Sequence, residues 1–136
     1  MSGNKLLLDT NILIYLSKKE LLLDRIALPG DSINISVITL MEVKGFAFQT
    51  MQEEDFVDAL CNLFHIIPLN DNIVDEVINI RKKHRIKLPD CIILATAIVN
   101  HCSIVTHNTS DFESFASLVN LIDPMVKGTK SGLSRK

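Results

Sequence analysis

Four acidic residues occur where a carboxylate could take part in catalysis: Asp9, Glu42, Asp90 and Asp111. Carboxylates that crowd together repel one another, and one of them takes up a proton unless a cation lies between them. Magnesium prefers oxygen ligands and usually keeps several waters, so a few carboxylates around a hydrated ion suit it. Such an ion activates water and stabilises charge on a phosphoryl group. These residue types therefore favour phosphodiester hydrolysis.

The elements that would position the acids follow from apolar periodicity. Short apolar runs predict strands at 5–8, 33–37, 65–67, 103–105 and 120–122. Helical spacing predicts helices at 11–17, 20–28, 40–46, 53–64, 71–84 and 89–100. Ser36 or Thr39 would cap the third of these helices. Strands that are apolar on both sides and alternate with helices indicate an α/β fold, with a parallel sheet and helices on both faces.

The predicted sheet brings the acids toward one another. Ligands of open parallel α/β sheets bind outside the carboxyl ends of the strands. Asp9 ends the first strand, Glu42 lies on the helix after the second, and Asp111 lies just past the fourth. Asp90 lies in the first turn of the central helix and joins them if that helix starts at the same edge. Spacing alone leaves an ordinary role open for each acid, as a helix cap or a solvated charge.

Length and composition indicate one compact domain. The 136 residues are 47% hydrophobic, which is enough to build a core. The formal net charge is −2, from 14 Lys+Arg and 16 Asp+Glu. If four acids hold metal, 14 basic residues face 12 acids, so net charge does not decide whether the chain binds nucleic acid. We expect residues 1–126 to form the domain and 127–136 to form a flexible basic tail.

The cysteines and the first residues bear on the cellular compartment. Cys61, Cys91 and Cys102 are odd in number and form no CxxC pair, so we expect buried thiols rather than disulfides or a zinc site. No apolar run reaches the roughly 18 residues that a membrane helix needs. Asp9 follows too soon after the first apolar residues for a secretory signal. We therefore expect a cytoplasmic protein with no membrane partner.

Four sequence motifs surround the acids. They are 7–15 (LLDTNILIY), 35–43 (ISVITLMEV), 87–97 (KLPDCIILATA) and 105–112 (VTHNTSDF). These motifs resemble those of PIN domains, occur in the order found in that family, and span residues 6–122. The similarity is greatest to the VapC-type toxins of bacterial toxin–antitoxin pairs. The resemblance implies a three-layer α/β/α sandwich with a short central parallel sheet of four or five strands, and a metal-dependent endoribonuclease.

The resemblance also assigns roles to the acids. Asp9, Glu42 and Asp90 would be catalytic residues that hold one or two Mg²⁺ or Mn²⁺ ions. Some family members have an acid at the position of Asn108, and others at the position of Asp111. We expect Asp111 to be the fourth catalytic acid of this chain.

Polar residues next to the acids have two interpretations. Thr10 and Asn11 would orient Asp9 or contact a metal-bound water, but they are also ordinary helix-start residues. Thr106 and Asn108 would hydrogen-bond to metal-bound water or to substrate.

Basic residues lead into the third motif. Arg81 to Lys83 are more typical of a solvated helix end, where cations suit the helix dipole. Arg85 and Lys87 are equally compatible with such an end and with a rim that binds RNA phosphates. His107, in the fourth motif, is a further candidate for a contact with RNA, although an ordinary loop histidine is the alternative.

The partners expected from the resemblance are an RNA substrate, a second copy of the chain in a homodimer, and a cognate VapB-like antitoxin. The antitoxin tail would cover the acidic pocket, with Arg side chains that match carboxylates. Two other functions stay open. A haloacid-dehalogenase-like phosphatase would use Asp9 as its nucleophile, but that family has a second acid where this chain has Asn11. A PIN fold that binds RNA or a protein without cutting would not need acids at all these positions.

Overall fold

The structure, a computed structural model, describes residues 3–126, which contain one sheet of five parallel strands. The strands are β1 (Lys5–Leu8), β2 (Ser32–Ser36), β3 (His65–Ile67), β4 (Ser103–Val105) and β5 (Leu121–Ile122). Their spatial order is β3-β2-β1-β4-β5, so β1 lies at the centre of the sheet. The predicted parallel sheet of four or five strands is confirmed.

Five α-helices and three 3₁₀ turns connect the strands within this described range. The helices are α1 (Thr10–Ser17), α2 (Val37–Lys44), α3 (Met51–Leu63), α4 (Asp71–Lys83) and α5 (Leu88–Asn100). The 3₁₀ turns are Leu23–Arg25, Thr109–Asp111 and Glu113–Phe115.

The helices cover both faces of the sheet. Successive residues of a strand point to opposite faces. Leu7 accordingly packs in the apolar cluster that α4 and α5 line, whereas Leu6 and Leu8 pack in the cluster that α1, α2 and α3 line. The three-layer α/β/α sandwich is therefore confirmed.

All five strands run in the same direction, so their carboxyl ends share one edge of the sheet. Helix α5 ends at Asn100, and the chain enters β4 only three residues later, at Ser103. His101, with a left-handed backbone (φ 57°), closes α5 and reverses the chain. Helix α5 therefore runs against the strands and begins at the carboxyl edge, which meets the condition set for Asp90.

The helix predicted over 20–28 is wrong. Only Leu23–Arg25 is helical there, as a single 3₁₀ turn whose N-cap makes no side-chain hydrogen bond. The buried apolar residues of the segment are Leu21 and Ile26. Their spacing of five does not put two side chains on one helix face, which requires three or four.

The boundary between β2 and α2 also differs from the prediction. Val37, predicted as the end of the strand, begins the helix instead. The Ser36 side chain accepts a hydrogen bond from the backbone N–H of Ile38 and so caps α2. Thr39, the alternative cap, lies within the helix and is fully buried. The helix ends at Lys44 rather than reaching Phe46.

The remaining predictions concern the cysteines, a membrane-spanning helix and the C-terminal tail. All three cysteines are free and buried, as predicted. Between residues 3 and 126, none of the helices combines the length and the apolar character needed to cross a membrane. The predicted tail at 127–136 lies outside the described residues.

Candidate active site

Asp9 lies just past β1 at the carboxyl edge of the sheet and is only 7% exposed. Its Oδ1 accepts a hydrogen bond from the backbone N–H of Thr10 (2.8 Å). Its Oδ2 accepts hydrogen bonds from the Thr106 hydroxyl (2.9 Å) and from the Asn11 side-chain amide (3.1 Å). Thr10 and Asn11 thus lie at the start of α1 and also contact the Asp9 carboxylate, Thr10 through its backbone and Asn11 through its side chain.

Thr106 follows β4, the neighbour of β1, and is fully buried. Its hydroxyl donates to Asp9 and accepts hydrogen bonds from the Asn11 amide (3.2 Å) and the backbone N–H of Asn108 (3.0 Å). A hydroxyl has one hydrogen and two lone pairs, so all its capacity is used. Thr106 thus fixes the Asp9 carboxylate relative to the loop after β4.

Glu42 is exposed on α2 and is held by a contact with α1. The Thr10 hydroxyl donates a short hydrogen bond to Glu42 Oε1 (2.5 Å), and the Thr39 hydroxyl oxygen lies 3.3 Å from that of Thr10. Sequence reasoning did not select Thr39. Its position three residues before Glu42 was the available signal, because residues three apart share a helix face.

Asp90 lies in the first turn of α5 and is half-buried. The pKa of its carboxyl is raised, first by burial and then by repulsion from Asp111, Asp9 and Glu42, while Lys87 acts in the opposite direction. Asp111 is exposed on the 3₁₀ turn that follows β4. The four acids selected from the sequence therefore lie near enough at one edge of the sheet for their negative charges to repel one another.

The pKa of Asp9 is raised as well. Burial is the largest cause, the hydrogen bonds from Thr106 and Thr10 oppose it, and the charges of Glu42 and Asp111 raise it further. Without a cation, ionisation of this carboxylate is thus less favourable in the folded protein than for a solvated aspartate.

The carboxylates do not form a closed cluster. Over residues 3–126, no three Asp, Glu, His or Cys side chains are arranged so that they could hold a metal ion as they stand. Mutual repulsion of uncompensated carboxylates opposes closer approach. The donor set nevertheless fits a hard cation, because it consists of carboxylate oxygens that, at Asp9 and Asp90, are partly desolvated and are repelled by neighbouring acids.

His107 and Asn108 follow Thr106 at the same edge, and both are exposed. The His107 backbone N–H donates to Asn11 Oδ1 (3.0 Å), and its ring Nδ1 lies 3.1 Å from both carboxylate oxygens of Asp123. Sequence reasoning missed Asp123. The signal was available, because Asp123 follows the fifth predicted strand as Asp9 follows the first.

Arg85 and Lys87 lie in the connection from α4 to α5, and both are exposed. In the described part of the chain neither forms an ion pair. Lys87 lies near enough to Asp90 to act on its charge, whereas Arg85 lines a cavity together with Arg81 and Lys82. Of the two, Lys87 is thus the one with an electrostatic link to the acids.

Comparisons with known proteins identify similar sequences and folds. The model of one protein family, the PIN domain, matches residues 6–118. A search of curated protein sequences gives no match. Among solved structures, the chain is 34% identical to a chain of a toxin–antitoxin complex from Klebsiella pneumoniae, with 87% of this chain and 96% of that chain covered and a TM-score of 0.66.

Two further solved structures share the fold at lower identity. A chain of VapBC-1 from nontypeable Haemophilus influenzae is 24% identical, with 90% of this chain and 99% of that chain covered and a TM-score of 0.71. A chain of VapBC2 from Rickettsia felis, bound to a DNA fragment from its promoter, is 23% identical, with 86% and 96% covered and a TM-score of 0.69.

Proposed function

The chain belongs to the PIN domain family, and we propose that it is a metal-dependent endoribonuclease, the toxin of a VapBC-type toxin–antitoxin pair. One observation carries the proposal: four acids distant in sequence lie together at the carboxyl edge of the sheet, where their negative charges repel one another. A structural role does not require this, because crowded uncompensated acids cost stability. The toxin assignment is supported by the 34% identity to a chain of a toxin–antitoxin complex.

Asp9, Glu42 and Asp90 are the residues that would hold one or two Mg²⁺ or Mn²⁺ ions, with Asp111 as the fourth acid. When bound, the metal supplies a water activated for attack and neutralises charge on the phosphoryl group. The contribution of the protein is to position these carboxylates before the metal binds. Thr106 and Asn11 hold Asp9, and Thr10 holds Glu42.

The direct test is cleavage of single-stranded RNA by the purified protein with Mg²⁺ or Mn²⁺, and with EDTA. The proposal expects internal cleavage that EDTA abolishes and added metal restores. RNA binding without cleavage would favour the alternative, a non-catalytic PIN-fold binding module. The phosphatase alternative is opposed by Asn11, whose side chain bonds to Asp9, Thr106 and the His107 backbone and is not an acid.

Replacing Thr10 by Val is expected to lower RNA cleavage by roughly 10–100-fold, as loss of a residue that orients a metal ligand does. Val keeps the shape of Thr but removes the hydroxyl that holds Glu42. Thr10→Ser keeps the hydroxyl and is the matched control. Initial cleavage rates at several Mg²⁺ concentrations measure the effect. Equal rates for the Val and Ser variants would contradict this role.

A cognate antitoxin is the proposed regulatory partner in the cytoplasm. Its tail would cover the acidic edge with Arg side chains, whose guanidinium groups pair with carboxylates through two hydrogen bonds. The acids repel one another in the absence of a partner, and they provide the negative charge that complements these Arg side chains.

A homodimer is the proposed assembly, and helix α4 offers a surface for it. The exposed side of α4 and its neighbours forms an apolar groove that includes Leu69, Val74, Ile78 and Leu88. Acids stand at the start of α4, including Asp71 and Asp75, and bases at its end, including Arg81 and Lys82. Two copies related by a twofold axis would bring α4 helices together antiparallel, with acids against bases and apolar residues at the centre.

Ile78→Asp is expected to shift the dimer toward monomer by about 100-fold in dissociation constant, because an unpaired charge would be buried at the centre. Ile78 is 50% exposed in the single chain, so the substitution leaves the core intact. Leu63→Asp, at an exposed apolar residue of α3, is the control. Light scattering after gel filtration gives the mass, and an unchanged dimer in the Ile78 variant would contradict the assignment.

A further inference from the structure

The imidazole of His107 is held on two sides although it lies in an exposed loop. Its Nδ1 lies 3.1 Å from both oxygens of Asp123. The Tyr15 ring on α1 packs against it edge to face, with centroids 5.5 Å apart and planes at 84°. The His107 backbone is anchored by Asn11. The His107 side chain remains 39% exposed, so this positioning is not needed to fill a core.

Asp123 determines which ring nitrogen stays available. Its side chain is only 13% exposed, and its Oδ1 also accepts a hydrogen bond from the backbone N–H of Met125 (3.0 Å). An ionised carboxylate only accepts hydrogen bonds, so the hydrogen must lie on Nδ1 of His107. Nε2 makes no hydrogen bond within residues 3–126 and is the nitrogen left to interact with a ligand.

The location of this pair links it to the acids. His107 follows β4 and Asp123 follows β5, so both lie at the carboxyl edge of the sheet. Thr106, the neighbour of His107, donates its hydroxyl hydrogen to Asp9. Among residues 3–126, the groups in contact with the imidazole are the Asp123 carboxylate and the uncharged Tyr15 ring. Protonation of His107 beside Asp123 would thus create a compensated cation with Nε2–H as a free donor.

We propose that Nε2 of His107 donates a hydrogen bond to a phosphate oxygen of bound RNA and that Asp123 is the residue that positions it. The inference rests on the proposed function, since it requires RNA at this edge. A phosphate is the expected acceptor because a fixed cationic donor suits an anionic oxygen, which every nucleotide presents. Such a contact sets the position of the strand without reading its bases.

The test compares His107→Asn with the parent protein, both in an Asp90→Asn background that is expected to slow RNA cleavage greatly. The Asn side-chain amide can replace Nδ1 as the donor to Asp123, but it has no equivalent of Nε2. Fluorescence anisotropy gives the RNA affinity at several salt concentrations, at pH 6 and pH 8.5. His65→Asn is the control, because His65 begins β3 at the opposite edge of the sheet and is exposed.

At pH 6 we expect His107→Asn to weaken RNA binding about tenfold and to reduce the slope of log affinity against log salt by about 0.7. At pH 8.5 the difference should largely vanish, because a neutral imidazole whose single hydrogen lies on Nδ1 cannot donate from Nε2. His65→Asn should have no effect at either pH. Equal affinity and salt slope for His107→Asn and the parent at pH 6 would overturn the inference, and a loss confined to certain RNA sequences would overturn the phosphate assignment.

Asp123→Asn tests whether Asp123 positions the His107 ring, as distinct from supporting the fold. Asn still offers an oxygen to Nδ1–H but bears no charge, so it should hold the ring less firmly and weaken RNA binding at pH 6. The double variant with His107→Asn should bind no worse than His107→Asn alone, because both act through one contact. Additive losses would contradict positioning through His107.

Failure of the proposed function gives a different result. If the unmodified protein cleaves RNA and His107→Asn has no effect on affinity, only the His107 inference fails. If RNA is bound through His107 but the unmodified protein never cleaves it, only the nuclease proposal fails. If RNA is neither bound nor cleaved, both fail.

Discussion

Asp90→Asn is expected to reduce RNA cleavage on the order of 10³-fold while making the metal-free protein more stable. The loss follows because Asn removes a negative ligand from the proposed metal site. The gain follows because burial and three neighbouring acids raise the pKa of Asp90, so its ionised form is less favourable in the folded protein than in the unfolded chain. Cleavage rates with excess Mg²⁺ and thermal unfolding in EDTA measure the two effects.

The two expected effects, lower RNA cleavage and higher stability, have opposite signs, and this distinguishes a functional acid from a structural one. A residue whose contacts stabilise the fold would lose activity and stability together when replaced. Asp55→Asn, at an exposed acid of α3, is the matched control and should change neither quantity appreciably. If Asp90→Asn destabilised the metal-free protein, its charge would be serving the fold, through the start of α5, rather than a metal site.

Mg²⁺ is expected to stabilise the protein at neutral pH, by about 2.7 kcal/mol when its concentration is 100 times the dissociation constant. For a chain of this length that corresponds to a rise of roughly 10 °C in the unfolding temperature. The ion would offset the repulsion that Asp9 and Asp90 bear in the metal-free protein. Asp9→Asn should retain little of this effect, whereas Asp55→Asn should retain all of it.

The same acids predict how stability depends on pH. An acid whose pKa is raised on folding costs stability when ionised, so the penalty is fully present above the folded pKa and is lost as pH falls toward the ordinary 3.8. Relative to Asp9→Asn, the metal-free parent should therefore become more stable as pH falls from neutral. The stabilisation by Mg²⁺ should shrink over the same range, because its ligands must be deprotonated. Thermal unfolding of both proteins from pH 7 down to about pH 4, with and without Mg²⁺, measures this. A parent that loses stability relative to Asp9→Asn on acidification would contradict the cause assigned to the raised pKa.

Strands and site residues were predictable from the sequence to different degrees. The apolar run of β1 is followed directly by Asp9, so the predicted strand places this acid at the carboxyl edge of the sheet. The run of β2 likewise places Glu42 on the helix that follows it. The segment 20–28 was mispredicted because its polar and apolar residues fit a helix locally. Contacts with the core decide that Leu21 and Ile26 are buried and that only Leu23–Arg25 turns helically.

The sequence by itself determined the order of the elements and the residue types that follow the strands, because periodicity and turn signals are local properties. It could not determine how the side chains at the edge bond to one another. The hydrogen bonds from Thr106 to Asp9 and from Thr10 to Glu42 join residues 97 and 32 positions apart. The pairing of His107 with Asp123 likewise exists only because β4 and β5 are neighbours. Such contacts depend on strand order and on distances of a few ångströms, and only the packed tertiary structure fixes both.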